Sequence, residues 1–155
     1  MADHRATITW QGWATPADFV KGTYSREHMW AFDGGITVPA SSSPSVVPAP
    51  WSNAVFVDPE EAFVASIASC HMLSFLYVAA KGGFTVQSYR DEAVGVMTKN
   101  ERGVPWVSKV TLAPVIAFGV DKQPTAEELG QLHHAAHDAC FIANSVKTEI
   151  VVATS

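Results

Sequence analysis

The chain has 155 residues, 48% hydrophobic and 16% charged, enough to enclose one core and ordinary for a folded globular domain. Ten Lys and Arg against fifteen Asp and Glu give a formal net charge of -5, which argues against nucleic acid or an anionic membrane as partner, since both are held through clustered cations. The N-terminal residues form no apolar run of the signal-peptide kind, so the two cysteines are expected to be thiols in a reducing cytoplasm.

Residues 5–11 alternate in the manner of a strand, with Ile8 and Trp10 on one face, and a loop through Pro16 follows. Residues 22–38 predict two short strands joined by a tight turn at Asp33-Gly34-Gly35, with Arg26 and His28 on the first. Prolines at 39, 44, 48 and 50 exclude regular structure up to residue 57, where Trp51 and Phe56 give the segment something to pack as a wall or lid. Asp58 then caps a long helix, with Pro59 at its first position and Glu60 and Glu61 at the positive end of its dipole. Lys81-Gly82-Gly83 stops it after roughly 22 residues. Nearly every face of this helix is apolar or small, which predicts burial on all sides. It is long enough to span a bilayer, but it lacks basic flanks and carries His71 and several serines, so a membrane role is not expected.

Residues 86–99 and 104–118 read as an antiparallel pair. Thr125 and Glu128 stand at capping-box spacing before a second helix whose inward face carries Leu129, Leu132, His133, Ala136 and Cys140. A last strand is expected over 145–152. The order of elements is that of an α+β protein, with one domain over 1–155. A helix apolar on all faces needs more cover than these short strands supply, which predicts a homodimer.

Cys70 sits in the middle of the long helix, beside His71. A thiol of ordinary acidity is only about 3% thiolate at pH 7, and burial lowers that fraction, so a nucleophilic Cys70 needs a cation from elsewhere. Of the four arginines, at 5, 26, 90 and 102, Arg26 is the candidate, because it stands on a strand just before the long loop. Glu60 is a candidate counter-ion for it. Ten residues of helix separate Glu60 from Cys70 by about 15 Å of rise, so either Glu60 folds back ahead of the helix or Glu60 of the partner subunit completes the site. If the two helices cross, Cys140 meets Cys70 and the pair can cycle through sulfenic acid and disulfide. Otherwise both cysteines are small buried hydrophobes.

The run from Asp58 to His71, with its Pro-Glu pair, its Ala/Ser-rich turn and its cysteine ten residues beyond the Glu, resembles the central-helix motif of the OsmC/Ohr family. Cys140-Phe141-Ile142-Ala143-Asn144-Ser145 resembles the family's second motif, and the element order matches over nearly the whole chain. The resemblance implies an OsmC-like fold, antiparallel sheets packed around a long buried central helix in an intertwined homodimer, and a thiol-dependent peroxidase that needs no cofactor or metal. It implies Cys70 as the peroxidatic cysteine, Cys140 as the resolving one, Arg26 as the cation that orients the peroxide, and Glu60 as the residue that holds Arg26. The partners it implies are a small hydroperoxide and an external dithiol. Phe141 departs from the proline that follows the resolving cysteine in hydroperoxide-resistance members, which places the chain among general OsmC-like relatives. Trp51, Phe56 and Met72 are candidates for lining a pocket for an alkyl chain.

Two other readings use the same residues. His133, His137 and Cys140, spaced four and three apart on one helix, are a candidate metal face. A silent binding or structural dimer would keep the cysteines without using them. A hydrolase is not supported: there is no Gly-x-Ser-x-Gly elbow, and adjacent Cys70 and His71 project about 100° apart.

Overall fold

The computed structural model of the protein describes residues 1–153. The chain falls into two compact units, with the division between Ala62 and Phe63.

The first unit is a three-stranded antiparallel sheet with one short helix. Strands β1 (Ala6–Thr9), β2 (His28–Phe32) and β3 (Thr37–Ala40) lie in sequence order, with Trp30 opposite both Ile8 and Val38. The turn at Asp33–Gly35 joins β2 to β3 as expected. Helix α1 (Pro16–Lys21) occupies what reads in the sequence as loop. Its signals are local: Thr15 accepts from Asp18 N–H at 3.1 Å, Pro16 opens the first turn, and Gly22 closes the helix at φ 77°, a conformation that favours glycine. Arg26 lies in the loop before β2 rather than on the strand, with its own N–H donating to Trp51 O at 2.9 Å. The proline-rich segment after β3 is irregular, returning to the sheet edge through a single parallel bridge between Ala40 and Val57.

Helix α2 (Pro59–Lys81) has 23 residues and starts where the sequence predicts. Asp58 Oδ1 accepts from Glu61 N–H at 2.8 Å, and Glu61 Oε2 accepts from Asp58 N–H at 3.2 Å, so two otherwise unpaired donors are satisfied reciprocally. The expectation of burial on all sides is not met within one chain. Only Ile67, His71, Phe75 and Ala79, one stripe at four-residue spacing, are fully covered, while Leu73 and Tyr77 on other faces are exposed.

In the second unit that stripe meets two apolar clusters. Ile67 packs with Val110 and Leu112, flanked by Ile142, Ile150 and Val152. Phe75 and Ala79 pack with Phe84, Leu132 and Ala136. The two long strands expected here are each broken. The chain forms β4 (Val86–Asp91), β5 (Val94–Lys99), β6 (Pro105–Leu112) and β7 (Pro114–Phe118), with β4 pairing β7 in one sheet and β5 pairing β6 in another. Asp91 stands at the break, its Oδ1 accepting the Ala113 N–H at 2.7 Å, and Pro114 beyond it has no N–H to leave unpaired. All of β5 is exposed, Val96 included, and a bulge between Val96 and Met97 shifts its register against β6. Gly95 is required by close approach: a Cβ there would lie 2.5 Å from Val64 Cγ2 of α2.

Helix α3 (Ala126–Ala139) has the expected capping box between Thr125 and Glu128. Cys140 follows its last residue. Residues 143–145 are a single 3₁₀ turn, not strand, and β8 (Glu149–Val152) then pairs with β6 in parallel. That pairing is the exception to otherwise antiparallel sheets.

Candidate dithiol site

The second unit brings both cysteines to one place. Cys70 is half-buried near the middle of α2, Cys140 is buried at the end of α3, and both are free thiols. The turn that follows Cys140 faces them both: Ile142 N–H donates to Cys70 Sγ at 3.4 Å, and Ala143 N–H donates to Cys140 Sγ at 3.3 Å. Burial and a contact with the Cys70 thiol push the Cys140 thiol above its ordinary range, against the lowering effect of these amides. Cys70 is the more accessible sulfur of the pair, and it has a main-chain donor in place.

The same two helices also meet in a buried polar contact. His71 Nε2 and His133 Nδ1 are 3.1 Å apart, with the rings nearly parallel at 12°. His71 Nδ1 is buried with no partner. A bare lone pair is less costly there than an orphaned N–H, so His71 carries its proton on Nε2 and donates to His133. Protonating His71 would place a donor on Nδ1 with nothing to accept it. Burial, together with the imidazoles of His133 and His137, accordingly lowers His71 to about 4. Burial lowers His133 as well.

The sign of the resulting pH dependence follows directly. The unfolded chain takes up a proton on His71 as pH falls through about 6.5, whereas the folded chain resists until about 4, so stability falls with pH across that window. The loss attributable to His71 approaches about 3 kcal/mol at the lower end. Urea denaturation at pH 7, 5.5 and 4.5 should show it, with a visibly shallower slope in His71→Leu.

The metal alternative does not assemble. His133 is engaged with His71, and among the described residues no three His, Cys, Asp or Glu side chains converge as metal ligands.

Arg26 and Glu60 belong to the first unit. Both border a cavity of about 430 Å³ walled by Trp10, Phe19, Tyr24 and His28. They share it without forming an ion pair. The guanidinium donates to Gly22 O at 2.7 Å and to Tyr24 O, and it lies over the Tyr24 ring at 3.6 Å. Carbonyls and an aromatic face therefore hold Arg26 in this structure, where Glu60 was expected to do so. Burial and the neighbouring Asp58 raise the Glu60 carboxyl above the usual range. Phe19 stacks on Tyr24 at 4.5 Å and Trp10 meets Tyr24 edge-on at 5.7 Å, forming an aromatic wall. Trp51 and Phe56, the aromatics expected on such a wall, do not line this cavity. His28 Nε2 accepts from Trp30 at 2.9 Å, so its Nδ1 carries the proton and donates to Arg26 O at 2.7 Å.

The profile of the OsmC family, described as OsmC-like protein, matches residues 53–155. The chain belongs to this family. An OsmC-like protein of unknown function from Vibrio cholerae is similar over 99% of both chains, at 50% identity and a TM-score of 0.92. An organic hydroperoxide resistance protein from Elizabethkingia anophelis, solved with thiocyanate bound, is 20% identical with a TM-score of 0.72, covering 98% of this chain and 93% of that one. The organic hydroperoxide resistance protein OhrB of Bacillus subtilis is 18% identical with a TM-score of 0.68, covering 98% of both chains. No curated protein sequence is similar enough to count as a match. Among OsmC proteins this chain thus has the expected mixed fold of antiparallel sheets and a central helix.

Proposed function

We propose that this OsmC protein is a thiol-dependent peroxidase that reduces organic hydroperoxides through Cys70. The observation that carries the reading is the convergence of two free thiols on one amide-bearing turn, Cys70 held by Ile142 N–H and Cys140 beneath it. Family members described as organic hydroperoxide resistance proteins support the substrate class.

In the proposed cycle the Cys70 thiolate attacks the terminal oxygen of the hydroperoxide. The O–O bond breaks, sulfur is oxidised by two electrons to sulfenic acid, and the alkoxide leaves as alcohol after taking a proton. Cys140 then attacks that sulfur, the S–S bond forms, and hydroxide departs as water with the Cys140 proton. An external dithiol reduces the disulfide and is itself oxidised. Arg26 is assigned to the charge on the departing oxygen from the family resemblance, in a homodimer; Glu60 borders the same cavity without holding Arg26. Exposed Leu73 and Tyr77 on α2 favour that dimer.

The test is the intact mass and thiol count of reduced protein after one equivalent of an alkyl hydroperoxide. Loss of two thiols as one intramolecular disulfide, absent in Cys70→Ser, is the expected result. Persistence of both thiols would overturn the reading and leave a dimer that keeps its cysteines unused.

A further inference from the structure

We infer that Asn144 is a positioning residue for the Cys70 thiolate, because its side-chain amide locks the turn that aims the Ile142 and Ala143 N–H groups at the two sulfurs. The inference rests on Cys70 being the attacking thiolate, but its test requires no peroxide.

A helix end leaves carbonyls without partners, and α3 ends immediately before Cys140. Asn144 Nδ2 donates to two carbonyls there, Asp138 O at 3.0 Å and Cys140 O at 2.9 Å. The main chain reinforces the same loop, with Asn144 N–H donating to Cys140 O at 3.1 Å and Ser145 N–H to Ile142 O at 3.0 Å. Ser145 Oγ adds a bond to Phe141 O at 2.7 Å. With the carbonyls of 138, 140, 141 and 142 all engaged, the turn cannot rotate its peptides freely, and the N–H groups of 142 and 143 are left pointing at sulfur. A donor fixed toward a sulfur favours its anionic form. A free turn would have to order itself to make the same bond and would lose part of its effect.

The residue type follows from this arrangement. One primary amide carries two N–H donors, enough for two carbonyls at once. A carboxylate carries none, and it would place a negative charge against both carbonyls and beside the thiols. Asn144 is itself solvent-exposed, so replacing it removes hydrogen bonds without opening a cavity.

The experiment is alkylation of the fully reduced, folded protein by iodoacetamide at pH 7.5, followed peptide by peptide so that Cys70 and Cys140 are read separately. Asn144→Ala should slow Cys70 alkylation about tenfold. Asn144→Asp should slow it at least as much. Ser145→Ala, which removes one of the supporting bonds, should slow it in the same direction by less, and it serves as the reporter if Asn144→Ala does not fold. A purely structural Asn144 would lower the unfolding midpoint and leave the Cys70 alkylation rate of folded protein unchanged. That outcome, or an unchanged Ser145→Ala rate where Asn144→Ala does not fold, overturns the assignment.

Discussion

Cys70→Ser is expected to lose at least about 10³-fold in hydroperoxide turnover, because a serine hydroxyl at neutral pH supplies no comparable nucleophile. Cys140→Ser should fail differently. Its Cys70 remains able to attack, so one equivalent of peroxide is consumed and the sulfenic acid accumulates, to be captured by dimedone as a mass increment on the Cys70 peptide. The wild-type protein should give little adduct, since Cys140 competes for the same sulfur from within the fold. The resolving step should also depend on pH. Burial raises the Cys140 thiol, so its thiolate fraction, and with it the rate of disulfide closure, climbs with pH over a range in which an ordinary thiol is already ionised. Stopped-flow measurement of disulfide formation between pH 7 and 10.5 checks this. Equal dimedone labelling of wild type and Cys140→Ser would remove Cys140 from the cycle.

Phe75→Ala should be the most destabilising single truncation in the second unit, by about 3–5 kcal/mol. The ring is fully buried and meets Tyr89, Phe118 and His133, the last at 4.6 Å between centroids. A loss of that size is a large share of the total stability of an ordinary domain. Its second effect separates this site from any other core position. Phe75 forms one wall of the His71–His133 contact, so a cavity there admits water to imidazoles that burial now keeps neutral. Phe75→Ala should therefore be much less stable at pH 7 and also flatter in its stability between pH 6.5 and 4.5. Urea titrations at fixed protein concentration read both, and Phe75→Leu should show a smaller loss with the slope retained.

The parts of the fold legible in the sequence are those written in local chemistry. Asp58-Pro59-Glu60-Glu61 and Thr125 with Glu128 place both long helices because capping depends on residues three apart. Thr15-Pro16-Ala17-Asp18 carries the same kind of signal for α1, but six residues offer too little periodicity to stand out from loop. The breaks near Asp91 and Ala113 could not be read locally, because they depend on a bond between positions 22 apart in the chain. Residue type and helix spacing mark Cys70 and Cys140 as a possible pair. The amides that serve them are not legible, since a main-chain donor leaves no mark on the residue that carries it. His71 stands out as a neighbour of Cys70 and His133 as part of a candidate metal face, yet their bond joins two helices and residues 62 positions apart. Arg26 reads in the sequence as a strand residue, yet it lies in the loop before β2, where main-chain carbonyls that no local pattern marks hold its guanidinium.

The bond from Ile142 to Cys70 closes a span of 72 residues, and this gives the site a history during synthesis. At about 5–20 residues per second, α2 leaves the ribosome several seconds before the turn that receives its thiol exists. In that interval Cys70 has neither its amide donor nor Cys140 beside it. An oxidant that reaches the nascent chain then meets a sulfur with no internal route to a disulfide. The reactivity proposed for the folded protein is thus withheld until the turn after Cys140 has been made, and β8, which pairs with β6, follows that turn in the chain.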